Sequence, residues 1–118
     1  MTALFVATIV CIAANAAIAL ADYVRAGFVM RNSAEVHVPA GTVPYLATLK
    51  LAGAVGLIAG LLALPWLGVA AGIGLTLFFV GAIAAHIRAR VFRNIAFPGL
   101  YLLLALAAAA YLLDVAIG

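Results

Sequence analysis

Asp22, Lys50 and His86 are ionisable side chains set within or at the ends of long apolar runs, and Asn15 lies about two helical turns before the acid. A carboxylate, an amine and an imidazole can together hold or pass a proton, and an amide adds both a donor and an acceptor. Helical stripes recur at spacings of three, four and seven. On that spacing Asn15, Ile18, Asp22 and Arg25 share one face, Lys50 shares a face with Gly53, Ala54 and Leu57, and Thr76, Phe79, Ile83, His86 and Arg90 line a third. An ionisable group near lipid costs a few kcal/mol unless it is paired or reaches the interface. Asp22 is the only acid at its level within a helix, so its expected partner is Lys50 or Arg25, with His86 able to join. Each residue also has a local reading. Lys50 can snorkel to the interface, His86 can cap its helix against the dipole, Asp22 can end its span, and Asn15 can bond a neighbouring helix. The expectation is that Asp22, Lys50 and His86 converge at the cytoplasmic mouth of a helical bundle, with Asn15 below them, and that the four bind the polar head of a small amphipathic ligand above an apolar cleft.

Other chemistries lack their residues. Cys11 is the sole cysteine and lies in an apolar run, so neither thiol exchange nor an internal disulfide is available. No phosphate-cradling glycine loop and no carboxylate pair occurs, and the one serine, Ser33, lies in a loop. Glu35 and His37 read as solvated loop residues and make a poor ligand set, so no metal is expected. The arginines are too few and too close to apolar segments for a nucleic-acid reader. The residues give no catalytic constellation, and the expectation leans away from an enzyme.

The elements that must position these residues follow from composition. The chain has 118 residues, 70% hydrophobic and 8% charged, which cannot furnish a water-facing surface. Four segments reach the roughly 20 apolar residues that cross a bilayer as a helix: about Ala3 to Ala21, Pro44 to Leu64, Trp66 to His86 and about Ile95 to Leu113. Strands would leave open edges in hydrocarbon, so an all-α, four-helix integral membrane bundle is expected, as a single domain over residues 1–118. The first apolar run has no preceding lysine or arginine and is too long for a signal core, so it reads as a span. It can continue helically to Met30, and Ala34 to Val38 suits a short interfacial turn. Pro65-Trp66 permits only a tight turn, so the second and third spans form a hairpin. Arg25, Arg31, Arg88, Arg90 and Arg93 fall in the first and third loops, with Lys50 near the same face. The positive-inside rule then puts both termini on the non-cytoplasmic side.

The second span reads GLIAG from Gly56 to Gly60, and the third GVAAG from Gly68 to Gly72. Small residues at this spacing let helices approach closely in lipid. They suit either a homodimer seam or the internal packing of the hairpin, and the second is preferred.

These features carry a resemblance. LKLAGAVGLIAGL at Leu49 to Leu61, PWLGVAAGIGL at Pro65 to Leu75 and FFVGAIAAHIRAR at Phe78 to Arg90, followed by Phe97-Pro98, resemble the DoxX-like family of small four-helix bacterial membrane proteins. The resemblance implies four transmembrane helices and a multi-pass protein of the bacterial cytoplasmic (inner) membrane. Many members carry an acid near the glycine run of the second helix, where this chain has Lys50. The wider group includes a subunit of a thiosulfate:quinone oxidoreductase, which implies quinone as a ligand and no intrinsic cofactor. The leading expectation is a non-catalytic protein that binds a lipidic or quinone-like molecule, or a partner membrane protein, within its bundle. Membrane lipid and a second copy of the chain are the other expected partners. A quinone-linked redox accessory subunit and a small enzyme using Asp22, Lys50 and His86 on a hydrophobic substrate are the alternatives.

Overall fold

The computed structural model describes residues Met1–Gly118 and is helical throughout apart from its connections. The helices are α1 (Thr2–Tyr23), α2 (Gly27–Glu35), α3 (Val43–Leu62), α4 (Pro65–Arg88) and α5 (Ala96–Ile117), with one 3-10 turn, Ala40–Thr42, before α3. Four of them, all but the short α2, are long and apolar enough to cross a membrane. Their outward faces carry Leu20, Leu62, Leu77 and Leu103, each well exposed. Such a surface suits hydrocarbon and not water. The chain is a multi-pass membrane protein with an all-helical bundle.

The connections refine the boundaries expected from sequence. The tight turn falls on Ala63 and Leu64, two residues earlier than expected, because Pro65 starts α4. Proline suits a first helical turn, where its missing amide proton has no partner to lose. Pro44 does the same for α3. The first span does not continue to Met30. It stops at Tyr23, and the loop helix is Gly27–Glu35 rather than Ala34 to Val38.

The break after α1 has a local cause that recurs. Arg25 has φ 53°, its amide donates to Asp22 O, and Ala26 N donates to Ala21 O. His37 (φ 65°) follows α2 with the same pair of bonds, to Ala34 O and from Val38 N to Ser33 O. Arg90 (φ 58°) repeats it after α4, to Ile87 O and from Val91 N to His86 O. These are Schellman caps with a basic residue where glycine is usual. Cationic side chains there face the negative end of the helix dipole, at the cost of a left-handed backbone. Arg90→Gly is therefore expected to raise stability by about 1 kcal/mol. Unfolding of the purified variant in mixed micelles checks it, and a lower midpoint would show that the guanidinium outweighs the backbone.

Around the bundle the order is α1, α3, α4, α5, and α5 closes back on α1. Consequently α1 and α4 lie across one diagonal, and α3 and α5 barely touch across the other. The α3–α4 seam is built on the glycines. A Cβ added at Gly56 would come within 2.6 Å of Ala71 Cβ, and one at Gly60 within 2.5 Å of the Gly68 backbone. Leu75 fills the space beside Gly53. Gly72 seats α4 against the Ala109 backbone of α5, and Leu112 of α5 covers Gly68. Both GxxxG stretches thus serve packing within the chain. The core is completed by Cys11, Leu57, Phe79, Ala105 and Ala108. Phe5 and Tyr111 meet at 5.6 Å between ring centroids, joining α1 to α5 near the two termini.

Candidate functional site

The buried line of α1 runs Thr8, Cys11, Asn15, Ala19 and Asp22, at steps of three and four. That periodicity turns Thr8, Asn15 and Asp22 inward, where each needs a partner. Thr8 donates to Leu4 O at 2.8 Å, one turn back on its own helix. Asn15 is fully buried. Its Nδ2 donates to Cys11 O at 2.9 Å and lies 3.5 Å from Cys11 Sγ, while its Oδ1 is a buried acceptor with no protein donor. An unsatisfied acceptor of this kind costs about 1–3 kcal/mol.

Asp22 ends the line, and Lys50 of α3 meets it in an ion pair. Both side chains are buried, at 4% and 10% exposure, so the pair is withdrawn from solvent and lipid alike. The same ammonium sits 5.6 Å from the ring centroid of Phe78 on α4, a cation–π contact. Lys50 therefore ties three helices at one end of the bundle. It does not snorkel, because Asp22 compensates its charge in place. Beside it Tyr23 OH and Thr48 Oγ1 share a 2.6 Å hydrogen bond, a second clasp between α1 and α3. Arg25, the other base considered for Asp22, lies beyond the end of α1 and is exposed.

His86 does not join this pair. It is half-buried on α4, and its Nδ1 lies 2.9 Å from Ala82 O one turn back. A carbonyl only accepts, so Nδ1 carries the proton in that bond. The reason for the separation is axial. Phe78 is the α4 residue at the level of the Lys50 ammonium, and His86 lies eight residues, about 12 Å, further along the helix. Of the three residues expected to converge, the structure brings Asp22 and Lys50 together and leaves His86 bonded to its own helix, while Asn15 lies about two turns deeper on the Asp22 face.

Several participants carried no signal in the sequence. Tyr101 of α5 donates to Ala14 O at 3.3 Å and packs on Phe79 at 5.2 Å between centroids, so it links α1, α4 and α5 in the interior. Glu35 is not a free solvated acid: it pairs with Arg93. Asn94 Nδ2 donates to Asn32 Oδ1 at 3.1 Å. Together these two contacts pin α2 to the α4–α5 connection. No group of histidine, cysteine and carboxylate side chains is placed to hold a metal ion.

A groove of about 580 Å³ lies on the outward side of the α3–α4 seam. Gly53, Gly56, Ala71 and Gly74 form its floor, and Leu77 and Phe78 part of its wall. A Cβ at Gly74 would meet nothing within 4 Å, so this space is open. The bundle thus offers a buried carboxylate–ammonium pair, one aromatic ring against the ammonium, and an apolar slot that shares that ring.

No curated protein and no solved structure matches the chain. The family model described as the DoxX-like family matches residues 6–108. That match takes in most of α1, all of α2 to α4 and more than half of α5, including the ion pair, both GxxxG stretches and His86. The chain belongs to the DoxX-like family.

Proposed function

We propose that this protein is a non-catalytic membrane protein that binds a lipidic, quinone-like molecule, with the apolar part in the α3–α4 groove and a carbonyl directed past Phe78 toward Lys50. The observation that carries this reading is the double role of Phe78, which lines the groove and receives the Lys50 ammonium. The groove volume falls in the usual range for a small-molecule site. Its position moves the expected ligand from the bundle interior to the lipid-facing seam, where a membrane-dissolved molecule can enter sideways. Quinone as the ligand class rests on the wider family and is an analogy. The reading places the protein in the bacterial cytoplasmic membrane, with the arginine-bearing loops inside and both termini outside.

Decylubiquinone binding to purified protein in nanodiscs tests it. Saturable binding is expected, weakened at least tenfold by Gly74→Leu, which adds bulk at a point of the slot where a Cβ meets nothing within 4 Å. Equal binding by the wild type and this variant would remove the groove from consideration.

The open floor at Gly74 also favours a second reading, in which a helix from another copy of the chain lies in the same slot. Native mass spectrometry separates the two. Under the second reading a dimer persists in detergent without added quinone and is lost in Gly74→Leu.

A further inference from the structure

A second groove, of about 530 Å³, opens between the residues that follow α2 and the last two turns of α4. Gly81, Ala84 and Ala85 are its floor, and Val36 and Val38 help to line it. His37 and Arg88 also line it, and both are exposed. It shares no residue with the α3–α4 groove.

Its shape and charge indicate one occupant. The floor residues follow one another at steps of three and one along α4, making a narrow stripe of minimal bulk. A Cβ added at Gly81 would meet nothing within 4 Å, so no side chain of the protein fills this space. From Gly81 to Arg88 the helix rises about 10 Å, so the groove runs from hydrocarbon depth to the helix end. There the charge is unbalanced. The chain has three acids. Asp22 is engaged by Lys50 and Glu35 by Arg93, while Asp114 lies near the far end of α5. Arg88 belongs to neither ion pair, and the φ of 65° at His37 sets its exposed ring in the turn that borders the groove.

We infer that this groove is a binding site for an anionic phospholipid. The phosphodiester is met by the Arg88 guanidinium and the His37 ring, and one acyl chain lies along Gly81, Ala84 and Ala85. A guanidinium matches phosphate oxygens in a fork geometry, and a slender apolar stripe beneath it suits a single chain rather than a helix. The inference is independent of the α3–α4 reading, since either groove can be occupied without the other.

The test uses the full chain in phosphatidylcholine nanodiscs containing a minor fraction of phosphatidylglycerol, with retained lipid counted by native mass spectrometry. Phosphatidylglycerol is expected on the released protein above its share in the disc. The double variant Arg88→Gln, His37→Gln is expected to lower that retention about fivefold, the effect of one basic residue at a membrane surface, while Arg88→Lys keeps most of it. Gly81→Leu fills the open floor and removes the retained lipid, whereas Gly74→Leu in the other groove leaves it in place. Retention that merely follows disc composition, or that is unchanged in the double variant, overturns the site. Loss of the lipid in Gly74→Leu overturns its location. Displacement by millimolar inorganic phosphate would show an anion site with no acyl component and overturn the phospholipid.

Discussion

Lys50→Met is expected to cost about 3–5 kcal/mol of unfolding free energy, because it leaves the Asp22 carboxylate buried without its counter-charge. The pair as a whole is worth much less than that figure. Removing both charges with groups of similar volume abolishes the desolvation penalty together with the attraction. The double variant Lys50→Met, Asp22→Leu is therefore expected to recover most of the loss and to show a large coupling energy in a double-mutant cycle. Reversible unfolding in mixed micelles of dodecyl maltoside and SDS measures all four corners of the cycle. If Lys50→Met alone is as stable as the wild type, Asp22 has found water or a proton, and the ion pair is not what joins α1 to α3. The neighbouring Tyr23–Thr48 hydrogen bond, which is exposed, is expected to give the smaller effect when Thr48 is replaced by valine.

The second large effect is steric. Gly60→Leu places its first added carbon 2.5 Å from the Gly68 Cα, and a backbone cannot turn aside as a side-chain tip can. Overpacking of this kind costs about 1–3 kcal/mol or more, and here it separates α3 from α4 along the seam. Gly74→Leu, on α4 with open space above it, is expected to change stability little. The contrast is the informative result, because the two glycines look alike in sequence. Equal loss in both variants would mean that the outward groove is filled in the membrane, by another helix or a firmly held ligand. Equal stability in both would mean that the seam yields.

The end of the bundle that each residue occupies was legible from the sequence, whereas the register of one helix against the next was not. Asp22, Lys50 and His86 do fall toward one end, because the rise per residue and the span lengths follow from the bilayer. The partnership of Asp22 with Lys50 was within reach, since the chain offers few acids. The isolation of His86 was not, because its level depends on the register of α4 against α3. That register rests on the contacts Gly53–Leu75, Gly56–Ala71 and Gly60–Gly68, and it sets Phe78 rather than His86 beside Lys50. The glycine motifs did point to the hairpin, as close approach over small residues requires. The start of α2 was missed because Arg25 takes the left-handed position after α1 without being glycine, and so gives no stop signal. Glu35 and Arg93 are too far apart in the chain for any local spacing to pair them.

The buried pair also has a consequence in time. Asp22 leaves the ribosome roughly 28 residues ahead of Lys50, a delay of a few seconds at ordinary translation speeds. During that interval the first span must occupy the membrane, or wait at its edge, with an acid that has no counter-ion. The amine that neutralises it arrives on the very next span, before the hairpin partner of that span has been made. Each later helix then docks onto a surface that is already electrically neutral, and the last one closes the ring by meeting the first. A chain that exchanged the two charges would offer the lysine first, and a lysine can reach for the headgroups while it waits, as a short aspartate cannot. The order of acid before base thus makes the opening step of assembly depend on prompt synthesis of the second span. A stall that holds the chain after Asp22 has left the ribosome but before Lys50 has done so is the point at which insertion of this protein should be most vulnerable.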